Sequence, residues 1–488
     1  MKPGKRTPIL TITAAVPTIK NTVSFMGVVV KRLLLLVCLG AAGVLSLLSP
    51  AGAALADHVS EVTLANGLKV ILLENHKAPL VTFQVWYRVG SRNEESGKTG
   101  LSHMLEHMMF KGTGKIGPEE FSRIIAQNGG DDNAFTSTDF TAYFENMSAD
   151  RVKIPIELES DRMRNLVLRE EDFKTERPVV MEERRMRTED NPKAVLSEQL
   201  AATAFQIQPY RWPVIGWMQD IARYTVGDLK QHYKTYYAPV NAFIVLAGDF
   251  KKEAVLPMIE EAFGSIPAGV APVQWQDKEE PQLGERRIIV RKEAQLASIE
   301  KAYHVPNLQS PDSYVLEVIA ALLSAGESSR LNQTLVRDKQ LALSVSADNE
   351  LVSRDPNLFS VSADVLPGKT ADVVEKALLS EIELLQKAPV GMRELEKAKN
   401  QLEADFTFAQ DSIFAQAMLI ATYEIVSSWR DADTYVPAIR AVSAADVKRV
   451  AQKYLVPENC VTARLDPIPS AEQKHVEPGS PGKENIVR

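Results

Sequence analysis

The feature that most constrains the fold is an internal duplication with a constant spacing. Residues 225–241 recur as residues 443–459, with Asp, Lys, Tyr, Pro and Asn at matching places, and the offset is 218 positions throughout (443 − 225 = 218). Each copy continues from a predicted helix into a predicted strand. Because a constant offset without gaps is not expected by chance, we predict two homologous domains of about 200 residues each.

The duplication sets the expected domain boundaries. We predict an N-terminal domain over residues 57–266, a C-terminal domain over residues 286–466, and a linker rich in Pro, Gly, Gln and acidic residues between them, over residues 267–285. Residues 467–488 are rich in Pro, Gly and charge, which predicts a disordered tail. The expected fold class is α+β, with the two homologous α/β domains forming a clamshell around a ligand cleft.

The composition excludes one class of function. The chain is 45% hydrophobic and 24% charged, as is usual for a soluble globular protein. Its net charge is −7, whereas nucleic-acid-binding proteins usually carry a basic stripe. No basic run with interleaved aromatic residues occurs in the sequence, so we expect no nucleic-acid partner.

The N-terminal segment has the pattern of an export signal. Two basic residues, 31–32, precede an apolar run over residues 33–48 and an Ala-x-Ala cleavage pattern at residues 54–56. The apolar run is shorter than the ~20 residues of a membrane-spanning helix. We therefore predict a signal peptide over residues 1–56, with Met26 as an alternative start, and a periplasmic protein without a stable membrane span. A retained signal anchor is the alternative.

A short stretch of the first domain can bind a metal ion. His103, Glu106 and His107 lie three and four residues apart, so a helix would present them on one face. Two imidazoles at this spacing can bind Zn²⁺, and the carboxylate between them can take a proton from a metal-bound water. Ser102 and Gly112 are the expected ends of the helix. The alternative interpretation is two core histidines near a surface glutamate.

A two-histidine zinc site needs a third protein ligand. The segment 170–189 is rich in carboxylates, and an oxygen ligand suits a site that keeps one position open for water. Pro178 could start a helix there. Glu182 and Glu183 would point about 100° apart on that helix, so one ion is not expected to reach both. Glu176 and Glu183 are seven residues apart and would share a face.

A segment rich in threonine and aromatic residues follows the predicted metal motif. Residues 133–144 alternate in polarity, which predicts a β-strand. The pattern by itself favours an ordinary internal strand. If the strand is instead an edge strand beside the metal, its unpaired backbone groups could pair with an extended peptide.

Together these segments resemble the inverted-zincin metallopeptidases, the H-x-x-E-H family that includes pitrilysin, insulin-degrading enzyme and the β subunit of the mitochondrial processing peptidase. The motifs that carry the resemblance are residues 100–113, 133–137, 176–183 and 209–216. The similarity extends over about residues 60–466. It identifies the chain as a short bacterial member of that family.

The resemblance implies a role for each residue of the motifs. His103, His107 and Glu183 would bind one zinc ion per chain, and Glu106 would be the general base. Glu176 corresponds to a glutamate that supports the site. On the strand that binds the substrate backbone lie Asn133, Ala134 and Phe135.

One part of the family pattern is missing. Residues 328–343 resemble a segment in which an arginine and a tyrosine reach the substrate carbonyl and the transition state; Arg337 fits the arginine, but Leu343 stands at the tyrosine position. A leucine cannot donate a hydrogen bond to an oxyanion, and one such donor is worth about 100- to 1000-fold in rate. We therefore expect a homodimer, or a heterodimer with a related subunit that supplies Arg and Tyr. Tyr303 or Tyr314 is the alternative within the chain.

The sequence therefore predicts a zinc-dependent endopeptidase. Its expected substrates are peptides or unfolded polypeptides, bound as an extended strand in a closed cleft. The metal motif is not duplicated, since the second half has only His304 in the corresponding region, so the second domain is expected to close over the substrate. The alternative is a non-catalytic scaffold or peptide-binding subunit with the same fold.

Overall fold

The computed structural model describes residues 58–274 and 278–469. The predicted signal peptide and most of the predicted tail lie outside this part of the chain. Within it, no helix combines the length and the apolar character needed to cross a bilayer.

The first domain is a six-stranded sheet covered by helices. Its strands are β1 Val59–Thr63, β2 Lys69–Glu74, β3 Leu80–Tyr87, β4 Asp131–Thr136, β5 Thr141–Ser148 and β6 Ala242–Gly248. Its helices are α1 Leu101–Met108, α2 Glu120–Gln127, α3 Lys153–Asn165, α4 Glu170–Arg184, α5 Pro192–Ala204, α6 Met218–Arg223, α7 Val226–Tyr236 and α8 Lys252–Phe263. The strand order is β1-β2-β6-β3-β5-β4, which places β4 at an edge.

The second domain has a five-stranded sheet with the order β7-β11-β8-β10-β9. Its strands are β7 Arg286–Glu293, β8 Ser298–Val305, β9 Ala342–Asn349, β10 Asn357–Val365 and β11 Cys460–Ile468. Its helices are α9 Pro311–Ser324, α10 Ala371–Lys387, α11 Met392–Phe408, α12 Ile413–Val426, α13 Tyr435–Ala441 and α14 Ala444–Tyr454.

The two sheets have the same topology, apart from the additional strand β1. In each, one parallel pair (β2 with β6, β7 with β11) is followed by antiparallel neighbours. The repeated helices α7 and α14 also begin in the same way: the Thr225 and Ser443 hydroxyls accept the N–H groups of Asp228 and Asp446, and those carboxylates accept the N–H groups of the capping residues. The predicted α+β fold of two homologous domains is confirmed.

The domains are joined by an exchange of helices. Helix α5 from the first half packs Leu196 and Leu200 on the second sheet, against Val461 and Ala463. Helix α12 from the second half packs on the first sheet, in a cluster that contains Trp86, Val245, Ile420 and Ile425. Shifting α5 by the 218-residue offset gives residues 410–422, which overlap α12, so the exchange is itself duplicated.

A buried carboxylate reinforces this contact. Glu424 on α12 accepts hydrogen bonds from Lys69 and Arg88 of the first domain, both at 2.8 Å. Its side chain is only 2% exposed. Removing one member of such a buried ion pair typically costs about 3–5 kcal/mol, so the exchanged helix is held by charge as well as by apolar packing.

The single strand predicted over residues 133–144 is wrong. The structure has a hairpin there, with β4 and β5 joined by a tight turn in which the Ser137 N–H donates to the Phe140 carbonyl at 2.8 Å. Threonine and aromatic residues continue through the turn, so the composition gave no sign of the reversal. The expectation of an internal strand holds for β5, while β4 is the edge strand.

One helix start also differs from expectation. Pro178 lies inside α4 instead of starting a helix, because α4 begins earlier, at Glu170. Its first turn carries three acidic residues, which are favourable at the positive end of a helix dipole. In the second domain, α11 and α12 are separate helices, and the Ser412 hydroxyl accepts the Ala415 N–H at 3.0 Å at the start of α12.

Candidate metal centre

Helix α1 starts at a position fixed by its surroundings. Gly100 has φ 87°, and a Cβ there would lie 2.4 Å from the Ile215 carbonyl oxygen, so a side chain is excluded. The Glu94 carboxylate accepts the N–H groups of Gly100 and Ser102 at 2.6 and 2.7 Å. The predicted Ser102 cap is therefore wrong: Glu94 caps the helix, and the Ser102 hydroxyl lies 3.1 Å from Nε2 of His232.

Two helices bring the predicted metal ligands together. His103 and His107 come from α1 and Glu183 from α4. Glu183 Oε2 lies 3.3 Å from His107 Nε2 and 3.7 Å from His103 Nε2, and one potential ligand atom from each residue lies within 4.8 Å of the others. Glu182 instead pairs with Arg185 on the exposed side of the helix, at 2.7 Å. Of the two glutamates, Glu183 is therefore the one that lies beside both imidazoles.

The donor set fits a zinc ion. Glu183 Oε2 is buried and makes no hydrogen bond of good geometry within the described chain, and the same is true of His103 Nδ1. A cation held among these donors would give Glu183 Oε2 a close partner in place of the 3.3 Å contact with His107 Nε2. Two imidazoles and one carboxylate are a ligand set that zinc accepts with a fourth position left open.

Electrostatics distinguish the two imidazoles. Burial lowers the pKa of His103 to about 3, so this imidazole is neutral and can act as a ligand. Burial also opposes the charge on His107, but its hydrogen bond to Glu176 and the neighbouring Glu183 carboxylate outweigh burial and raise its pKa to about 9. Burial likewise opposes the charge on Glu183, yet the same imidazoles hold the pKa of that carboxyl down at about 2. Binding of a divalent cation would displace the proton from His107.

Glu106 lies beside the ligands and contacts the edge strand. Its Oε2 accepts a hydrogen bond from the Thr136 hydroxyl of β4 at 2.6 Å. Within the described residues, no hydrogen bond reaches Oε1. Burial raises the pKa of the Glu106 carboxyl above its ordinary value. Thr136 belongs to the motif at residues 133–137, but the sequence did not predict its contact with Glu106. Its position two residues after Ala134 places it on the same face of the strand.

Glu176 supports the second imidazole. Its Oε1 lies 2.8 Å from His107 Nδ1, and its Oε2 lies 2.6 Å from Lys111 Nζ. This arrangement fixes the orientation of the ring and directs Nε2 toward Glu183, as partners of metal-binding histidines commonly do. Sequence reasoning missed Lys111, because nothing in the spacing of residues 111 and 176 shows that the two side chains meet.

The predicted substrate strand is the edge strand of the first sheet. Asn133, Ala134 and Phe135 pair with β5 on one side only. The Phe135 ring packs against Trp86, at 5.6 Å between ring centroids, in the cluster that α12 covers. Only the backbone of Phe135 is therefore in a position to meet a peptide. The Ala134 N–H already donates to Asn133 Oδ1 at 2.8 Å.

Comparison with known proteins establishes the family. Residues 69–216 match the model described as insulinase (peptidase family M16), and residues 223–402 match the model described as the peptidase M16 inactive domain. A protein from Helicobacter pylori named zinc protease PqqE is 35% identical over 90% of this chain and 99% of its own length. The chain belongs to the M16 peptidase family. The predicted resemblance is confirmed.

Other M16 relatives agree with this assignment. A probable β subunit of the mitochondrial processing peptidase from Arabidopsis thaliana is 28% identical, over 83% of this chain and 78% of its own. A crystal structure of a protease from Helicobacter pylori superposes with a TM-score of 0.79 and 33% identity, over 84% of this chain and 99% of that chain. The names of these relatives support a peptidase function and a zinc cofactor in general terms.

The residues expected to complete an M16 active site lie in the second domain. Arg337 is exposed in the helical turn Asn332–Asp338, and Leu343 is 47% exposed on the edge strand β9. Neither side chain makes a hydrogen bond or ion pair with the metal-centre residues in the described chain. Tyr303 and Tyr314 are buried in the core of the second domain, and the Tyr314 hydroxyl lies 3.1 Å from that of Thr434. These positions give no support to the alternative that one of these tyrosines replaces the missing donor.

Proposed function

We propose that this M16 protein is a zinc-dependent endopeptidase whose catalytic domain spans residues 57–266. The observation that carries the proposal is the meeting of His103, His107 and Glu183 beside a free carboxylate oxygen of Glu106. Residues 286–466 would form the homologous domain without a metal, joined by the linker over residues 267–285.

The residues of the site would divide the chemistry among them. One zinc ion per chain, held by His103, His107 and Glu183, would supply a Lewis acid that acidifies water and polarises the scissile carbonyl. Glu106 would take a proton from the attacking water at Oε1, while Oε2 stays with Thr136. Its raised pKa brings the carboxyl closer to neutral pH, where accepting a proton and passing it on are both effective. The C–N bond breaks as Glu106 gives that proton to the leaving nitrogen.

The edge strand would hold the substrate. An extended peptide can add to an exposed sheet edge through backbone hydrogen bonds, whatever its sequence. Because Thr136 belongs to β4 and also contacts Glu106, a peptide paired with β4 would pass the general base. Extended binding of this kind requires an unfolded segment, which favours peptides and unfolded polypeptides as substrates.

Removal of the metal tests the proposal directly. Dialysis against a zinc chelator is expected to abolish hydrolysis of a fluorogenic unstructured peptide, and one equivalent of Zn²⁺ per chain should restore it. Hydrolysis is followed by fluorescence and zinc content by atomic absorption, with circular dichroism as the control for folding. Undiminished hydrolysis by the metal-free folded protein, or a native chain that binds no zinc, would exclude this function.

We also propose that full activity needs a second subunit. Leu343 cannot donate a hydrogen bond to the developing oxyanion, and Tyr303 and Tyr314 are buried. A related subunit carrying Arg and Tyr, in a homodimer or heterodimer, would supply that donor. Adding such a subunit is expected to raise kcat by about 100- to 1000-fold over the isolated chain, the value of one such donor.

Comparing the isolated chain with the chain plus the related subunit also distinguishes a peptidase from a scaffold or peptide-holding subunit. If the isolated zinc-loaded chain turns over at the rate of the mixture, the proposal of a complementing subunit is wrong. If neither the chain nor the mixture turns over, the alternative of a scaffold or peptide-holding subunit is supported. The observation that favours the scaffold or peptide-holding alternative is the exposed Leu343 on the edge strand β9.

We place the protein in the periplasm, exported by the segment over residues 1–56. The support is the basic pair, the apolar run and the cleavage pattern of that segment. A protein of the same fold is named as the periplasmic protease PqqL from Escherichia coli; it superposes with a TM-score of 0.72 at 18% identity, over 86% of this chain and 49% of that chain.

A further inference from the structure

The two oxygens of the Glu183 carboxylate have different surroundings. Oε2 faces the two imidazoles and makes no hydrogen bond of good geometry. Oε1 lies 2.9 Å from Nε of Arg187, which is four residues further along the chain. A charge-assisted contact therefore engages one oxygen and leaves the other for the site.

The backbone after α4 accounts for the position of Arg187. Residues Arg185–Glu189 form a π-helical turn, a rare conformation that is frequent at functional sites. In the described chain, Glu183 is the ion-pair partner of Arg187. Arg185, two residues earlier, pairs with Glu182 instead, on the side of the helix away from the imidazoles.

Stability of the fold does not account for the Arg187 contact. The Arg187 side chain is 54% exposed, and ion pairs with so much exposure contribute about 0–1 kcal/mol. A half-exposed residue that pairs with one oxygen of a candidate metal ligand is better explained by the geometry of the site.

We propose that Arg187 is a positioning residue that makes Glu183 offer a single oxygen, Oε2, to the metal. The proposal rests on the proposed zinc peptidase function. A catalytic zinc site needs one position open for water and substrate, whereas a carboxylate free to rotate can bind with both oxygens and occupy it. Holding Oε1 on Arg187 prevents the second contact.

The test compares Arg187→Met with Arg185→Met. Both substitutions remove a guanidinium from the same turn, but only the first frees a Glu183 oxygen. For Arg187→Met we expect kcat to fall about 10- to 100-fold with little change in KM, the scale of losing a residue that orients a ligand. Arg187→Lys should recover part of the loss, because an ammonium can still donate to Oε1.

A spectroscopic readout separates positioning from general damage. With Co²⁺ in place of Zn²⁺, Arg187→Met should show weaker visible absorption than the native chain, because an added ligand oxygen raises the coordination number, while Arg185→Met keeps the native spectrum. If Arg187→Met matches Arg185→Met in kcat and in spectrum, the positioning role is wrong although the enzyme still binds metal. If the native chain binds neither Zn²⁺ nor Co²⁺, the proposed function fails, and the role of Arg187 fails with it.

Discussion

Replacing Glu106 with glutamine is expected to lower kcat for peptide hydrolysis by about 10²- to 10⁴-fold, the usual contribution of a general acid–base group. The substitution keeps the size of the side chain and leaves an oxygen that can accept from the Thr136 hydroxyl. It removes the ability to take a proton from water. Because Glu106 does not belong to the group of metal ligands, the zinc content should stay at one ion per chain.

The measurement pairs steady-state kinetics on an unstructured peptide with metal analysis of the same sample. Glu95→Gln is the matched control, since Glu95 is an exposed glutamate in the loop before α1. Its activity should equal that of the native chain. Native kcat in zinc-loaded Glu106→Gln would remove Glu106 from the mechanism, whereas loss of zinc would assign it to the metal site instead.

Replacing Glu183 with alanine is expected to abolish both zinc retention and hydrolysis. The substitution leaves two imidazoles as the only candidate protein ligands and opens space where the partly buried carboxylate was. The loss should exceed the about 10- to 100-fold that is typical when a residue supporting a ligand is removed. Zinc retained after dialysis, measured per chain, should fall from one to near zero.

The neighbouring glutamate provides the control for this variant. Glu182 is adjacent in sequence but pairs with Arg185 on the exposed side of α4, so Glu182→Ala should keep zinc and activity. Circular dichroism of both variants checks that α4 has not unfolded. Equal zinc binding by the two variants would mean that Glu183 is not a ligand and that another side chain completes the site.

The parts of the site that were predictable from sequence are those set by helix periodicity. His103, Glu106 and His107 share a face of α1 because of their spacing alone, and Glu176 and Glu183 share a face of α4 for the same reason. The duplication was predictable because its offset is constant. Family resemblance then selected Glu183, and the contacts in the structure agree with that choice.

The unpredicted parts depend on side chains that meet only after the chain has folded. Thr136 reaches Glu106 across 30 residues, and Lys111 reaches Glu176 across 65. Glu94 caps α1 from six residues before Gly100, in a loop that has no capping pattern. In each case one partner comes from another element, so no local periodicity marks the pair.

Because α5 and α12 each pack on the sheet of the other half, the two domains are held together without the covalent linker at residues 267–285. Each domain carries, on one face of its sheet, a helix that belongs to the other half of the sequence. A protease that cuts between residues 267 and 285 would therefore leave two fragments that remain associated. A fragment expressed alone would lack the helix that covers its own sheet and would expose an apolar face to solvent. The two halves are therefore expected to be stable together but not as independent domains.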